Sequence, residues 1–206
     1  MKARKIINEA EKIIEKSKPK FWEVIGLLDS LEIKNCCKKA DIEKNVFVKG
    51  VLFADSGALI KSGTYIEGIA YIGKNSLIGP NAYLRGNTII AEECKISNSE
   101  IKNSILLQGA KVPHFSYIGD SIIGKKVNMG AGSKIANLRM DSANVKVDFF
   151  GDKVDSGRRK LGALIKDKTS IGVNAVINCG VIIGKNCIVY PGTFVRKSAK
   201  DGEIIF

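Results

Sequence analysis

Aliphatic residues recur at every sixth position along most of the chain. Ten successive positions at this spacing, from Ile42 to Ile96, are aliphatic, and the period returns between Ile165 and Val195. An amphipathic helix would space its apolar residues by three and four, and a half-buried strand would alternate them by two. Six-residue spacing predicts instead a solenoid, in which each repeat forms a short strand and a corner and points its aliphatic side chain into a prism-shaped core.

Glycine often follows the aliphatic residue of a repeat, as in Gly73 after Ile72 and Gly124 after Ile123. A residue without a side chain suits a tight corner, where a side chain would crowd the next coil. Each coil of such a stack is stable only because its neighbours cover it. We therefore predict an all-β solenoid domain over residues 34–206.

The first 33 residues do not follow the six-residue period and are predicted to form a helical extension. A break is expected near Ser17 to Pro19, and a second short helix after it. We expect the two helices to cap the open end of the prism, where they would protect the terminal coil. The apolar stripe of the first helix consists of Ile6, Ile7, Ala10, Ile13 and Ile14.

Residues 138–162 also abandon the period, and we interpret them as an excursion loop. A long excursion within a compact repeat is more often functional than decorative. The loop is either a solvated face or an anion site, since the planar fork of arginine matches phosphate oxygens. Its cations are Arg139, Lys146, Lys153, Arg158, Arg159 and Lys160.

The net charge of +12 indicates either an anionic partner or a solvated lysine surface. Because the cations are spread along the chain and aromatic residues are few, we expect no nucleic acid partner. No apolar run approaches the roughly 20 residues that span a bilayer, and the charged N-terminus lacks a signal-peptide core. We expect a cytoplasmic protein without a membrane segment, whose five cysteines, lacking a CxxC pair, are reduced thiols.

Six motifs narrow the function. They are GPNAYLRG (79–86), SEIKNS (99–104), VPHFSYIGDSIIG (112–124), VNMGAG (127–132), IANLR (135–139) and GRRKLGALI (157–165). In this order they resemble the C-terminal acetyltransferase domain of the bifunctional sugar-1-phosphate nucleotidyltransferases that also acetylate glucosamine 1-phosphate. The residues ANLR and GRRKLGA are more similar to the archaeal type of these enzymes. The resemblance implies a left-handed parallel β-helix, a homotrimer with sites between adjacent prisms, and acetyl-CoA as co-substrate. No glycine-rich loop of the nucleotidyltransferase domain occurs in the chain.

The resemblance also implies roles for individual residues. His114 would be the acetyltransferase base, and Ala131 would lie against the pantetheine arm of acetyl-CoA. A neutral imidazole is well matched to take a proton from an attacking amine, and N–H groups of the VNMGAG corner would bind the thioester oxyanion. The residues expected to bind an aminosugar 1-phosphate are Arg85, Lys102, Tyr117, Asn128, Asn137 and Lys160.

The chain departs from the bacterial pattern at Leu138, Val173 and Pro191, and it stops at Phe206 without the C-terminal tail of longer relatives. These differences bear on acetyl-CoA binding. Two alternatives to the N-acetyltransferase therefore stay open: a non-catalytic trimerising or regulatory subunit for a separate nucleotidyltransferase, and an acyltransferase for another acceptor. A zinc enzyme of this fold is not expected, because the chain has one histidine.

Overall fold

A computed structural model of the chain describes residues 2–16, 19–37 and 39–206. The fold is a three-faced prism of short parallel strands. Strands of its first face are β1 (Asp41–Ile42), β3 (Leu59–Ile60), β5 (Leu77–Ile78), β7 (Lys95–Ile96), β10 (Lys111–Val112), β13 (Asn128–Met129), β18 (Ser170–Ile171), β21 (Ile188–Val189) and β23 (Ile204–Ile205).

The second and third faces share three long strands near the start of the prism, which bend from one face to the other. These are β2 (Phe47–Ala54), β4 (Tyr65–Ile72) and β6 (Tyr83–Ile90). Further along, the second face has β8 (Glu100–Lys102), β11 (Tyr117–Gly119), β14 (Lys134–Ile135), β19 (Val176–Ile177) and β22 (Phe194–Val195). The third face has β9 (Ile105–Leu106), β12 (Ile122–Ile123), β17 (Leu164–Ile165) and β20 (Ile182–Ile183).

Successive coils stack in register, so that each aliphatic position lies directly over its equivalent in the next coil. Ile60 pairs with Ile78, and Ile101 pairs with Ile118. Almost all of these side chains are buried in one core cluster that runs the length of the prism. The predicted left-handed parallel β-helix is thus confirmed, with the six-residue period as its repeat.

The glycines that follow the aliphatic residues lie where the backbones of neighbouring coils approach most closely. A Cβ on Gly73 would stand 2.6 Å from the carbonyl carbon of Ala91 in the next coil. The left-handed backbone of the corner comes two residues later, at Asn75 with a φ of 56°. Asparagine is one of the few residues with a side chain that tolerates this conformation. The crowding predicted for the glycines is confirmed, while the turn itself is made by other residues.

The helical extension covers a side of the prism. Helix α1 (Ala3–Ile14) buries its whole predicted stripe, and α2 (Phe21–Gly26) continues into a 3-10 turn (Leu27–Ser30). Ser17 and Lys18, where a break was predicted, lie outside the described residues. None of the helices in the described ranges is long and apolar enough to cross a membrane. The stripe packs on outward side chains of the third face: Ile89, Ile105, Ile122, Leu164 and Ile182.

Ion pairs show that α1 runs parallel to the prism axis. From the start of the helix to its end they are Arg4–Glu92 at 3.1 Å, Glu11–Lys125 at 2.9 Å and Glu15–Lys185 at 2.6 Å. The expectation that the helices cap the open end is therefore wrong. The apolar outer surface of the third face offers the helical stripe a longer surface to cover than a single terminal coil does. The first coil is left open, and Ile42 and Val48 of its core are 38% and 43% exposed.

The excursion leaves the prism at the corner between the second and third faces and folds back on its own chain. Its hairpin consists of β15 (Lys146–Phe149) and β16 (Asp152–Asp155). Phe149 packs against Trp22 of α2, with ring centroids 6.2 Å apart. Asp148 accepts a hydrogen bond from the backbone N–H of Ser198 at 2.7 Å, which ties the hairpin to the last coils.

The open first coil leads to a stability prediction for two positions of the same core column. Ile78→Ala removes a fully buried side chain and should lower the free energy of unfolding by about 2–5 kcal/mol. Ile42→Ala should lower it by less than about 1 kcal/mol, because this side chain already contacts water. Urea unfolding followed by circular dichroism measures both. Equal losses would mean that the first coil is covered.

Candidate active site

The predicted base and the predicted donor-facing positions form one axial column at the corner between the first and second faces. Equivalent positions in successive coils are His114, Ala131, Val173 and Pro191. The residue after each position donates its N–H to the carbonyl one coil earlier: Gly132 to His114 at 2.9 Å, Asn174 to Ala131 at 2.8 Å and Gly192 to Val173 at 2.8 Å. Register of the scaffold therefore aligns these residues along the prism axis. We call them the corner column.

The side chain of His114 is exposed, although its backbone is fixed. Its carbonyl oxygen accepts hydrogen bonds from Gly132 N–H and from Ser116 Oγ at 3.0 Å. Within the part of the chain that the structure describes, the imidazole has no hydrogen bond or ion pair. The ring is thus accessible to a ligand, and none of the described residues orients it by a hydrogen bond or ion pair.

The second face brings four of the predicted acceptor residues together. Arg85, Lys102 and Gly119 occupy the same register position in β6, β8 and β11. Because Gly119 has no side chain, space is left for two neighbours. A Cβ there would stand 2.5 Å from Tyr117 Oη and 2.6 Å from Asn137 Nδ2. Lys102, Tyr117 and Asn137 consequently surround one point on this face, with Arg85 one coil away.

A buried carboxylate at the centre of this group escaped the sequence analysis. Asp120 Oδ2 accepts hydrogen bonds from Lys102 Nζ at 2.8 Å and from Asn137 Nδ2 at 2.5 Å, and Oδ1 accepts one from Asn103 Nδ2 at 2.9 Å. Its side chain is 3% exposed, and that of Lys102 is 16% exposed. The sequence did offer a signal for Asp120, because it belongs to the VPHFSYIGDSIIG motif and follows Tyr117 by three positions.

Two of the three cations predicted to bind phosphate are already paired with carboxylates. Lys102 pairs with Asp120, and Arg85 Nε lies 2.6 Å from Glu100 Oε1. The hydrogen bond to Glu100 raises the pKa of Arg85 above its ordinary value. Lys160 differs, because its side chain is exposed and forms no ion pair with any residue that the structure describes.

The end of the excursion lies beside Asp120. Leu138 and Lys160 form an antiparallel bridge that closes the neck of the loop, and Leu161 N–H donates to Asn137 O at 3.0 Å. Gly162 N–H donates to Asp120 O at 2.9 Å. A side chain at Gly162 has no room, since its Cβ would collide with Ser121 Oγ and Gly119 O. Lys160 thus lies two residues before Gly162, whose backbone is fixed against Asp120.

The remaining predicted acceptor residue lies on a different face. Asn128 is an exposed residue of β13 on the first face, between Lys111 and Ser170 of the neighbouring strands. One chain therefore does not bring Asn128 into contact with the group around Asp120. Both faces border the corner column, with Asn128 before the corner and Tyr117 after it.

A cavity of about 510 Å³ adjoins this group beneath the excursion. Ala136 and Leu138, on either side of Asn137, form part of its wall. Its rim carries Lys146, Lys153 and Arg196, together with Arg139, which pairs with Asp141. That pairing holds the pKa of Asp141 well below its usual range. The anion-binding role of the excursion stays a prediction, with hairpin lysines rather than the GRRK cluster facing this cavity.

Family models match most of the prism. A model described as the GMPPB C-terminal domain matches residues 60–155, and one described as the bacterial transferase hexapeptide (six repeats) matches residues 162–197. A crystal structure of LpxA, a UDP-N-acetylglucosamine acyltransferase from Bacteroides fragilis, aligns with a TM-score of 0.57 at 16% identity, covering 80% of this chain and 69% of that one. That likeness supports the fold.

Sequence relatives confirm the predicted resemblance. A bifunctional sugar-1-phosphate nucleotidylyltransferase/acetyltransferase from Sulfurisphaera tokodaii is 45% identical over 189 residues, covering 89% of this chain and 47% of the relative. A bifunctional protein GlmU from Methanocaldococcus jannaschii is 37% identical over 190 residues, covering 90% and 46%. The chain thus spans about half the length of the curated relatives that it matches.

The environment of Tyr117 predicts that its phenol loses its proton at a higher pH than an exposed tyrosine does. Burial, aided by Glu100 and Asp120, raises the pKa of Tyr117 above its ordinary value of about 10. Subtracting the ultraviolet pH titration of Tyr117→Phe from that of the unchanged protein should give a phenolate step with a midpoint above 10. A midpoint at or below 10 would contradict the half-buried placement of the Tyr117 phenol.

Glu67→Gln is the matched control for this titration. Tyr83 donates its hydroxyl to Glu67 Oε2 at 2.8 Å, and this bond raises the pKa of Tyr83. The substitution should therefore move the Tyr83 step to lower pH and leave the Tyr117 step in place.

Proposed function

We propose that this chain, a hexapeptide-repeat protein that resembles the acetyltransferase half of bifunctional sugar-1-phosphate enzymes, is an acetyl-CoA-dependent N-acetyltransferase. Its acceptor would be an aminosugar 1-phosphate, either glucosamine or galactosamine 1-phosphate. The observation that carries the proposal is the alignment of His114 with Ala131, Val173 and Pro191, next to the acceptor residues of the second face.

His114 would serve as the general base. The acceptor nitrogen forms a bond to the acetyl carbon and gives up a proton to the imidazole. The carbon–sulfur bond breaks, and coenzyme A leaves as a thiolate that takes up a proton to become the free thiol. A neutral imidazole is suited to this transfer near neutral pH. Its exposure supports the role, since a base must reach the nitrogen from which it takes the proton.

The acceptor would lie against the second face. Tyr117 and Asn137 offer a hydroxyl and an amide for sugar hydroxyl groups, and Lys102 adds an ammonium group whose charge is already balanced by Asp120. Lys160 supplies the unbalanced positive charge that a phosphate needs. Binding of the phosphate at this distance from the amine would hold the amine in position for reaction.

The corner column would hold the donor. Its residues have short or compact side chains, so an extended pantetheine arm can follow the corner along the prism axis. Gly130 and Gly132 already donate their N–H groups to Ile171 and His114. In the Gly130–Gly132 corner, the N–H of Ala131 is therefore the group that would donate a hydrogen bond to the thioester oxyanion.

A homotrimer with the site between prisms is part of the proposal. His114 lacks an orienting partner within the described chain, and large apolar side chains are exposed along the same edge. These are Val173, Val176, Tyr190 and Phe194. A second copy that covers them would enclose the corner column and could bring Asn128 of one copy to the second face of another.

Two alternatives keep specific support. The open first coil, with Phe47 60% exposed, favours a regulatory or trimerising subunit that docks a separate nucleotidyltransferase. Leu138, which differs from the bacterial pattern and lies opposite Lys160 beside the acceptor group, favours an acyltransferase with another acceptor. A thiol-release assay with a panel of acceptors separates both from the main proposal.

His114→Ala should lower the rate of coenzyme A release by about 10²–10⁴-fold, because the reaction loses its base. The assay combines acetyl-CoA with each aminosugar 1-phosphate and measures free thiol. Lys126→Asn is the control, since it changes an exposed residue at another corner in a backbone conformation that asparagine accepts. If no acceptor releases thiol and neither ligand raises the melting temperature, the acetyltransferase proposal fails.

Ala131→Tyr should obstruct the donor path and raise the KM for acetyl-CoA by at least about tenfold. The KM for the sugar phosphate should stay unchanged, because Ala131 lies on the corner and not on the second face. Ala143→Tyr places the same side chain at an exposed position of the excursion and should alter neither constant. An unchanged KM for acetyl-CoA in Ala131→Tyr would place the donor elsewhere.

A further inference from the structure

The geometry points to Asp120 as the positioning residue of the acceptor site, an inference that rests on the proposed function. We infer that its carboxylate holds Lys102 and Asn137 in one fixed arrangement and anchors the end of the excursion that carries Lys160. Asp120 itself would not touch the acceptor, because its side chain is almost fully covered by the residues that it binds.

The carboxylate joins side chains from three consecutive coils. Lys102 and Asn103 belong to the coil before Asp120, and Asn137 belongs to the coil after it. Both carboxylate oxygens are used, with Oδ2 shared between Lys102 and Asn137. A carboxylate is the side chain suited to this place, since it accepts several hydrogen bonds and donates none.

Backbone geometry aims the carboxylate inward. Asp120 has a left-handed φ of 50°, and Asn103 has one of 47°. The backbone of Asp120 is also bonded to the preceding coil, because Asp120 N–H donates to Lys102 O at 2.8 Å. The backbone of the corner thus fixes the direction in which the side chain of Asp120 points.

Burial makes the arrangement intolerant of change. A buried charge that loses its partner is strongly unfavourable, so Lys102 cannot keep its position without Asp120. The side chain of Lys102 is only 16% exposed, and water could not replace the missing carboxylate without moving the ammonium group outward. Displacement of Lys102 and Asn137 would then misplace the acceptor.

The link to Lys160 runs through main-chain atoms. Gly162 N–H donates to Asp120 O, and Leu161 N–H donates to Asn137 O. A shift of the Asp120 corner would therefore move the neck of the excursion together with the two side chains. One residue thus connects three of the six predicted acceptor contacts.

The test uses Asp120→Asn, with Asp141→Asn as the matched control. Both substitutions convert a carboxylate that pairs with a cation into an amide, but Asp141 is exposed and pairs with Arg139 in the excursion. Asp120→Asn should lower kcat/KM for the sugar phosphate by about 10- to 100-fold and leave the KM for acetyl-CoA unchanged. Asp141→Asn should change neither value by more than about twofold.

A second readout does not depend on activity. Labelling of lysine amines by an acylating reagent, followed by peptide mass spectrometry, measures how accessible Lys102 is. Lys102 should react several-fold faster in Asp120→Asn than in the unchanged protein, and at the unchanged rate in Asp141→Asn. Unchanged labelling of Lys102 and unchanged kinetics in a folded Asp120→Asn protein would overturn the inference.

Asn103→Gly serves if Asp120→Asn does not fold, because glycine accepts the left-handed backbone and removes one hydrogen bond to Asp120. It should give a smaller loss of kcat/KM, of less than about tenfold, and faster labelling of Lys102. Normal values for both would again overturn the inference. Should the unchanged protein transfer no acetyl group, the proposed function fails, while labelling still decides whether Asp120 fixes Lys102.

Discussion

The stacking of one aliphatic side chain on the next is the constraint on which the whole structure depends. Because no coil can bury its core residue alone, every coil must lie in register on its neighbour. Register then places equivalent residues of successive coils side by side, as in the pairs Leu84–Ile101 and Ile66–Leu84. The candidate site is a result of this spacing: the corner column is one such row, and Arg85, Lys102 and Gly119 form another.

The sequence was sufficient to predict the fold, because a six-residue period has no other regular explanation. The position of the helices was missed, although the signal for it was present. On the third face the residue before each core position is apolar without interruption from Ile89 to Ile182. On the first face the same positions include Lys95, Lys111 and Asn128. An outer surface that is apolar throughout must be covered, and the stripe of α1 covers it together with apolar side chains of α2 and the excursion hairpin.

The site could be predicted only in part. Resemblance supplied the identities of the candidate residues, but the ion pairs among them depend on register, which residue types alone do not reveal. Arg85 and Lys102 were interpreted as free cations, and the structure pairs each with a carboxylate of the neighbouring coil. Asp120 escaped notice because its three partners are 17 or 18 positions away in the chain, two in the coil before it and one at the start of the excursion. Asn128 was grouped with residues from which a prism corner separates it.

The charges of the candidate site suggest what the excursion contributes to it. A site whose cations are already neutralised would attract a phosphate weakly, whatever hydrogen bonds it offered. The excursion adds Lys160, which lacks a carboxylate partner among the described residues, next to the neutralised group. The excursion is fixed at its hairpin, where Asp148 accepts a hydrogen bond from Ser198 N–H of the last coils, and at its end, where Gly162 N–H donates to Asp120 O. Because the neck fixes the backbone of Lys160, only the side chain would lose freedom when a ligand binds. On the proposed function, preference for a phosphorylated sugar would then come from the excursion, while the face of the prism would select the sugar itself.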